Sequence, residues 1–287
     1  MATAAVSASA ETKWFEQFEK AFPESRRNRL STELRQAFTR MTAEDLKRWS
    51  SQTIRVLALS VWRRLRTIGV SLRRLGVATR AELERLYGRP ENETLWAYLW
   101  RRIKAFWDGS RSLALSAKRS GEALITELRA NPKEAGPRFL VAVLGYVLAS
   151  GGLDADGGAP DLDLEMGGIG LHRSIFFHSF LIGAVLETAI YGLACSMEIA
   201  HEKLPTPHDP FWDLVDKHRT DWAVAATNGI SVGVAYHLLV DAFIQTGTYH
   251  GIGIPLPGDI HSAGFAANAA VEGMDVGRKG ETFKARK

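Results

Sequence analysis

The sequence predicts an all-α protein, a helical bundle carrying a metal site and preceded by a basic helical region. Three observations lead there. Apolar residues recur at helical spacing through most of the 287 residues, and no alternating strand pattern of any length interrupts them. Charge is segregated: residues 1–137 hold 26 Lys+Arg against 15 Asp+Glu, a net of +11, and the remainder holds 10 against 17, a net of −7. All eight histidines lie in the acidic part, and six of the eight tryptophans lie in the basic part.

Residues 1–12 are small and polar and are expected to be disordered. Lys13 to Ser50 reads as short amphipathic helices, with breaks at Pro23 and Ser31. No acidic residue occurs between Asp45 and Glu82, while Arg55, Arg63, Arg64, Arg66, Arg73, Arg74 and Arg80 do. This basic stretch, residues 47–80, has three readings: a solvated helical face, a membrane-surface helix on anionic head groups, or a nucleic-acid contact without a base-reading motif. Thr79 and Glu82 form a capping-box pattern that opens a short helix ending near Gly88.

Glu93 to Trp107 reads as the next helix, with Trp96, Trp100 and Trp107 along one side as a packing seam. Ser112 to Ala130 is a further helix, and Asn131 to Pro137, with two prolines and a glycine, is the expected domain boundary. The predicted organisation is a basic Trp/Arg-rich helical region over 1–130, a second helical domain over 138–270 and a flexible tail over 271–287. Phe139 to Ser150, Ile175 to Met197 and Ala223 to Gly247 are strongly apolar runs. The first is short for a bilayer crossing and the other two are long enough, yet they carry His178, Glu187, His237 and Asp241. They read as membrane helices around a polar site or as core helices of a soluble bundle.

One cysteine, Cys195, leaves no intramolecular disulfide framework and leaves any metal to nitrogen and oxygen. Its apolar surroundings make it a small core residue. The start of the chain lacks the basic flank and apolar core of a secretory signal, which points to the cytoplasm or the cytoplasmic face of a membrane.

The chemistry concentrates in residues 154–179 and 236–241. His237 and Asp241 stand four apart and so share one helix face, a two-pronged clamp for a cation. Asp161 and Asp163 follow Pro160 in a loop; in an extended backbone one would be a ligand and the other an orienter, unless the loop turns both inward. His172 and His178 are six apart, which places His172 in the loop and His178 one to two turns inside the following helix. Together these residues suit one or two divalent ions, zinc foremost and manganese or iron as alternatives. Arg173 would meet an anionic substrate oxygen, and Glu187 is a candidate general base. Asp154, Asp156 and Glu165 match positions 1, 3 and 12 of a calcium loop, but Ala159 replaces its glycine. A di-iron carboxylate bundle would need a second partner for the one Glu-x-x-His pair, Glu198 with His201. His250 and His261 are further ligand candidates, and His208 and His218 read as surface residues.

Residues 160–163 (PDLD), 172–179 (HRSIFFHS) and 233–247 (GVAYHLLVDAFIQTG) resemble the signature of the YdjM-like membrane-bound metal-dependent hydrolases. The resemblance covers residues 138–260 and implies a helical, membrane-embedded or membrane-associated hydrolase, with Asp161, Asp163, His172, His178, His237 and Asp241 as ligands. It departs from the family pattern at Ser174 and at Phe176 and Phe177, with one residue more between the histidines. The function it implies is metal-dependent hydrolysis of a phosphoester, a phospholipid head group or a nucleotide, at the inner membrane. The alternative is a non-enzymatic membrane or nucleic-acid adaptor with a structural His/Asp metal site. Expected partners are membrane lipid, an anionic substrate, nucleic acid through 47–80 and a second copy of the chain.

Overall fold

A computed structural model describes residues 16–90, 93–155, 157–168, 172–245, 248–249 and 257–284. It is 81% helical, and no strand occurs among the described residues. The helices are α1 (Glu24–Thr39), α2 (Ala43–Tyr87), α3 (Leu95–Ala130), α4 (Pro132–Ser150), α5 (Leu162–Gly167), α6 (Phe180–Glu202), α7 (Phe211–Phe243), α8 (Gly258–Asp275) and α9 (Lys279–Lys284).

Helix boundaries differ from the sequence expectation where local signals are overridden. Pro23 does cap α1, but Ser31 lies inside it. The Thr79–Glu82 pattern sits within α2, whose 45 residues continue to Tyr87. The two helices expected between Glu93 and Ala130 are one helix of 36 residues, capped by the Thr94 hydroxyl, which accepts from the Ala97 N–H. Asn131 is the whole break before α4, because Pro132 opens that helix, where its missing N–H costs nothing.

The chain divides into two compact units: residues 1–56 with 188–221, and residues 57–187 with 222–287. These are discontinuous, unlike the consecutive domains expected from composition. The first has its core in Leu30, Ala37, Ala200, Leu204 and Trp212. Its buried Glu33 accepts hydrogen bonds from Trp212 Nε1 (3.0 Å) and Arg29 Nε (2.8 Å), and Arg26 grips Asp209 with two N–H donors at 2.8 and 2.9 Å. Cys195 is buried, as expected of a core residue.

The second unit contains a buried ion network. Arg63 binds Glu187 (2.8 Å) and Asp275, Arg64 binds Glu272 (2.5 Å) and Glu187 (2.9 Å), and Lys279 binds Glu187 (2.8 Å) and Asp275. Three cations meet three carboxylates, and the Ser60 and Ser231 hydroxyls donate to Glu187 and Glu272. The solvated-face reading of the basic stretch is therefore corrected at these two arginines, whereas Arg55, Arg66, Arg73, Arg74 and Arg80 are exposed. The flexible tail is corrected too: Asp275 closes α8, and Lys279, in α9, is fully buried by this network.

In the same unit α4 lies against α7 at backbone distance. A Cβ on Gly229 would collide with the Ala142 carbonyl, one on Gly145 with that of Ala226, and one on Gly233 with that of Tyr146. The other side of α4 exposes Phe139, Leu140, Val143, Leu144, Val147 and Leu148. Among the described residues, two helices are long and apolar enough to cross a membrane: α6, with mean hydropathy 1.7, and α7, with 1.4.

The close approach gives a direct test. Gly229→Val should destabilise the fold by about 1–3 kcal/mol or more, because neither backbone can yield without breaking helix hydrogen bonds. Chemical denaturation of the variant against the wild type measures it.

Candidate metal centre

The site lies in the second unit and is built by the turn after α4, α5, the turns over 172–179 and the last third of α7. Ser150 ends α4, and Gly151 follows with φ 76°, the left-handed value that lets the chain reverse. Gly157 and Gly158 also take positive φ, and a Cβ on Gly158 would strike the Gly151 backbone. The chain thus folds back tightly on itself before Asp161.

Asp161 is the N-cap of α5 and Asp163 lies in its first turn, so a helical turn replaces the extended loop and brings both carboxylates inward. His178 precedes α6 instead of lying one to two turns inside it. Its N–H bonds the Ser174 carbonyl at 2.9 Å, in a tight turn that also carries His172. His237 and Asp241 project from one face of α7, as their spacing predicts. Asp163, His178, His237 and Asp241 are buried, and Asp161 and His172 are largely so.

Four donor atoms converge. His178 Nε2 is 3.4 Å from Asp161 Oδ1 and 3.5 Å from Asp241 Oδ2; His237 Nε2 is 3.6 Å from Asp161 Oδ1 and 3.5 Å from Asp241 Oδ2. Tetrahedral zinc with bonds of about 2.0–2.1 Å has donor-to-donor edges of about 3.3–3.4 Å. A second group shares Asp161 Oδ1: His172 Nδ1 is 3.7 Å from it and 3.6 Å from Asp163 Oδ1, and His178 Nδ1 is 3.3 Å from Asp163 Oδ2.

Four of the six ligand candidates, Asp161, Asp163, His237 and Asp241, are held by the atom facing away from the centre. The Gly157 N–H donates to Asp161 Oδ2 at 2.8 Å, and the Ser174 N–H to Asp163 Oδ2 at 2.8 Å. Arg173 Nε donates to Asp241 Oδ1 at 3.0 Å, and His237 Nδ1 meets the Ser150 carbonyl at 3.4 Å. A carbonyl accepts only, so that contact places the His237 proton on Nδ1 and the lone pair on Nε2. The inward atoms Asp163 Oδ1, Asp241 Oδ2 and His178 Nε2 are buried and make no hydrogen bond. Buried polar atoms are normally satisfied, so convergent orphans at ligand spacing fit an ion. Burial raises the Asp161 carboxyl pKa, but the adjacent His178 and His237 outweigh it and hold the group below its ordinary range.

Arg173 takes a positive φ of 60° and also donates from Nη2 to Gln245 Oε1 at 2.7 Å. It thus holds a ligand candidate, a role beyond the substrate contact expected from the sequence. The structure does not place Glu187 in this constellation. Its carboxylate is bound by Arg63, Arg64, Lys279 and Ser60, which leaves it no basicity to offer; the general-base reading is corrected. Sequence reading missed these partners because they lie 92 to 127 residues away. Asp154 and Glu165 are exposed, and His261 Nδ1 accepts the Tyr249 N–H at 3.0 Å instead of joining the site. His250, Asp156 and residues 1–12 lie outside the described residues. In the other unit His201 and His208 both contact Asp213 Oδ1, at 2.9 and 3.0 Å, as a hydrogen-bonded clamp. No protein-family model, curated protein or solved structure matches the chain.

His237→Ala should remove bound metal from the purified protein, and Asp163→Asn should weaken it about 10- to 100-fold by releasing its neighbours. Elemental analysis and competition titration with a chromogenic chelator read both. Glu187→Gln should instead cost about 3–5 kcal/mol of stability, since it breaks a buried ion network, while leaving the metal content of the folded protein unchanged.

Proposed function

We propose that this chain is a metal-dependent hydrolase of phosphoesters, working at or in a membrane on a lipid head group. The observation that carries the reading is the convergence of His178 Nε2, His237 Nε2, Asp161 Oδ1 and Asp241 Oδ2 at 3.4–3.6 Å, with the far side of both carboxylates and of His237 tethered. Charge agrees with it. With the imidazoles neutral, as ligation of an ion requires, Asp161, Asp163 and Asp241 bring three negative charges and Arg173 returns one, a deficit of two in a buried space. One divalent ion balances it; zinc suits the nitrogen and oxygen donors best, with manganese or iron next.

When bound, such an ion supplies Lewis acidity and an acidified water at neutral pH. The protein's own part is orientation. Arg173 uses Nε and Nη2 on Asp241 and Gln245, which leaves Nη1 with two donors for a phosphate oxygen. His172 and Asp163 flank Asp161 Oδ1, where a second ion or the attacking water would be held.

A lipid is favoured over a nucleotide by what neighbours the site along the chain. Leu153, Met166, Ile175, Phe176, Phe243 and Ile244, all within a few residues of the site's own groups, are exposed. Exposed apolar side chains so near a polar centre in the chain suit an amphiphile whose head is polar and whose chains are not. The exposed apolar face of α4, its close glycine packing on α7, and the two apolar helices of sufficient length support a membrane setting. The likeness to the YdjM-like membrane hydrolases points the same way.

Burial favours a second reading. Four protein donors would leave an ion no open position, and closed sites of that kind are commonly structural. The non-enzymatic adaptor would keep the ion for stability alone.

Detergent-purified protein should release phosphate or a phosphorylated head group from phospholipid micelles, lose at least tenfold in rate with a chelator, and regain it with zinc or manganese. Chelation that melts the protein with no hydrolysis to lose would favour the structural ion.

A further inference from the structure

The first unit carries a separate convergence of nitrogen and oxygen donors, on residues that the His/Asp centre does not use. His201 stands in the last turn of α6, His208 in the connection that follows, and Asp213 in the first turn of α7. His201 Nε2 and His208 Nε2 lie 2.9 and 3.0 Å from one atom, Asp213 Oδ1, and a donor atom from each residue lies within 4.8 Å of the other two. Glu198, the sequence partner considered for His201, pairs with Arg219 at 3.2 Å instead.

The outer nitrogen of His208 decides how its ring is used. Nδ1 meets the Pro205 carbonyl at 3.1 Å, and a carbonyl only accepts, so that nitrogen carries the proton. A neutral His208 then turns its Nε2 lone pair on a carboxylate oxygen, and the contact is attractive only with a cation between them. A proton there makes His208 a full imidazolium and serves that ring alone. A divalent ion satisfies both Nε2 atoms and Oδ1 at once, with both rings neutral. Donor-to-donor edges around zinc are about 3.3–3.4 Å, so the groups need to open by only about 0.3–0.5 Å. Asp213, whose side chain is 61% exposed, has room to swing outward by that much.

The backbone beside the ligands is anchored. Asp209, next to His208, accepts two N–H donors of Arg26 at 2.8 and 2.9 Å, and its own N–H bonds Glu33 at 3.2 Å. Trp212, next to Asp213, donates Nε1 to Glu33 at 3.0 Å. Asp216 Oδ2 lies 4.0 Å from His201 Nδ1, an outer carboxylate on the far side of that ring.

We propose that His201, His208 and Asp213 form an exchangeable zinc site that staples the end of α6 to the start of α7. Two imidazoles and one carboxylate suit zinc, and three protein ligands leave its fourth position to water. Solvent reaches the site: the His201 and His208 side chains are 28% and 21% exposed, whereas His178 and His237 are buried. The proposal is independent of any ion at the His/Asp centre.

The test uses the full chain, stripped with a chelator and then titrated with zinc against a chromogenic competitor. H201Q/H208Q should bind one zinc fewer than the wild type, and the same pair added to H237A should lower that variant's count by one as well. D213N should weaken this ion at least about tenfold. Diethyl pyrocarbonate modification mapped by peptide mass spectrometry locates the ion in the wild type, where zinc should protect His201 and His208. That arm needs no variant and decides the matter should the double variant fail to fold. The proposal falls if folded H201Q/H208Q keeps the wild-type zinc count. It falls equally if both histidines are modified alike with and without zinc, which would leave the clamp holding a proton alone.

Discussion

Buried charge must be balanced, and the second unit meets that constraint in two ways. Arg63, Arg64 and Lys279 match Glu187, Glu272 and Asp275 one for one, with serine hydroxyls taking remaining lone pairs. That cluster is closed and needs nothing more. The His/Asp centre has three carboxylates and one guanidinium, and its inward atoms Asp163 Oδ1, Asp241 Oδ2 and His178 Nε2 lack hydrogen-bond partners. Desolvating an unbalanced set costs several kcal/mol per ion, which is why this set of groups fits a cation. Both clusters are built from buried carboxylates and basic side chains, and the charge arithmetic separates the closed network from the candidate site.

What was legible in the sequence was whatever a single helix or turn encodes. His237 and Asp241 share a face because four residues nearly complete a turn, and no tertiary contact could change that. Asp161 and Asp163 were legible as candidates but not in their geometry, because α5 begins between them and converts opposite sides into one. His172 and His178 come together through turns over 172–179 that carry no helical period. The tethers were invisible: Gly157 N–H, Ser174 N–H and the Ser150 carbonyl are backbone groups, and backbone groups have no signature in residue type.

The errors share one cause. Arg63 and Arg64 looked like part of a solvated basic face, and Glu187 like a spare carboxylate in an apolar run, because they lie more than 120 residues from one another. The tryptophan row showed which side of α3 is apolar, but a stripe cannot say whether protein, lipid or water covers it. The exposure of Trp96, Trp100 and Trp107 corrects the packing seam expected from their spacing.

The ion network also sets an order of events. Arg63 and Arg64 are translated 212 and 208 residues before the Asp275 and Glu272 that neutralise them, and Lys279 follows later still. Until then α2 holds two guanidinium groups without those counterions beside apolar segments that favour early burial. The second unit therefore reaches its native state as a late, chain-wide closure, with a high-contact-order step that no amount of early helix formation can replace.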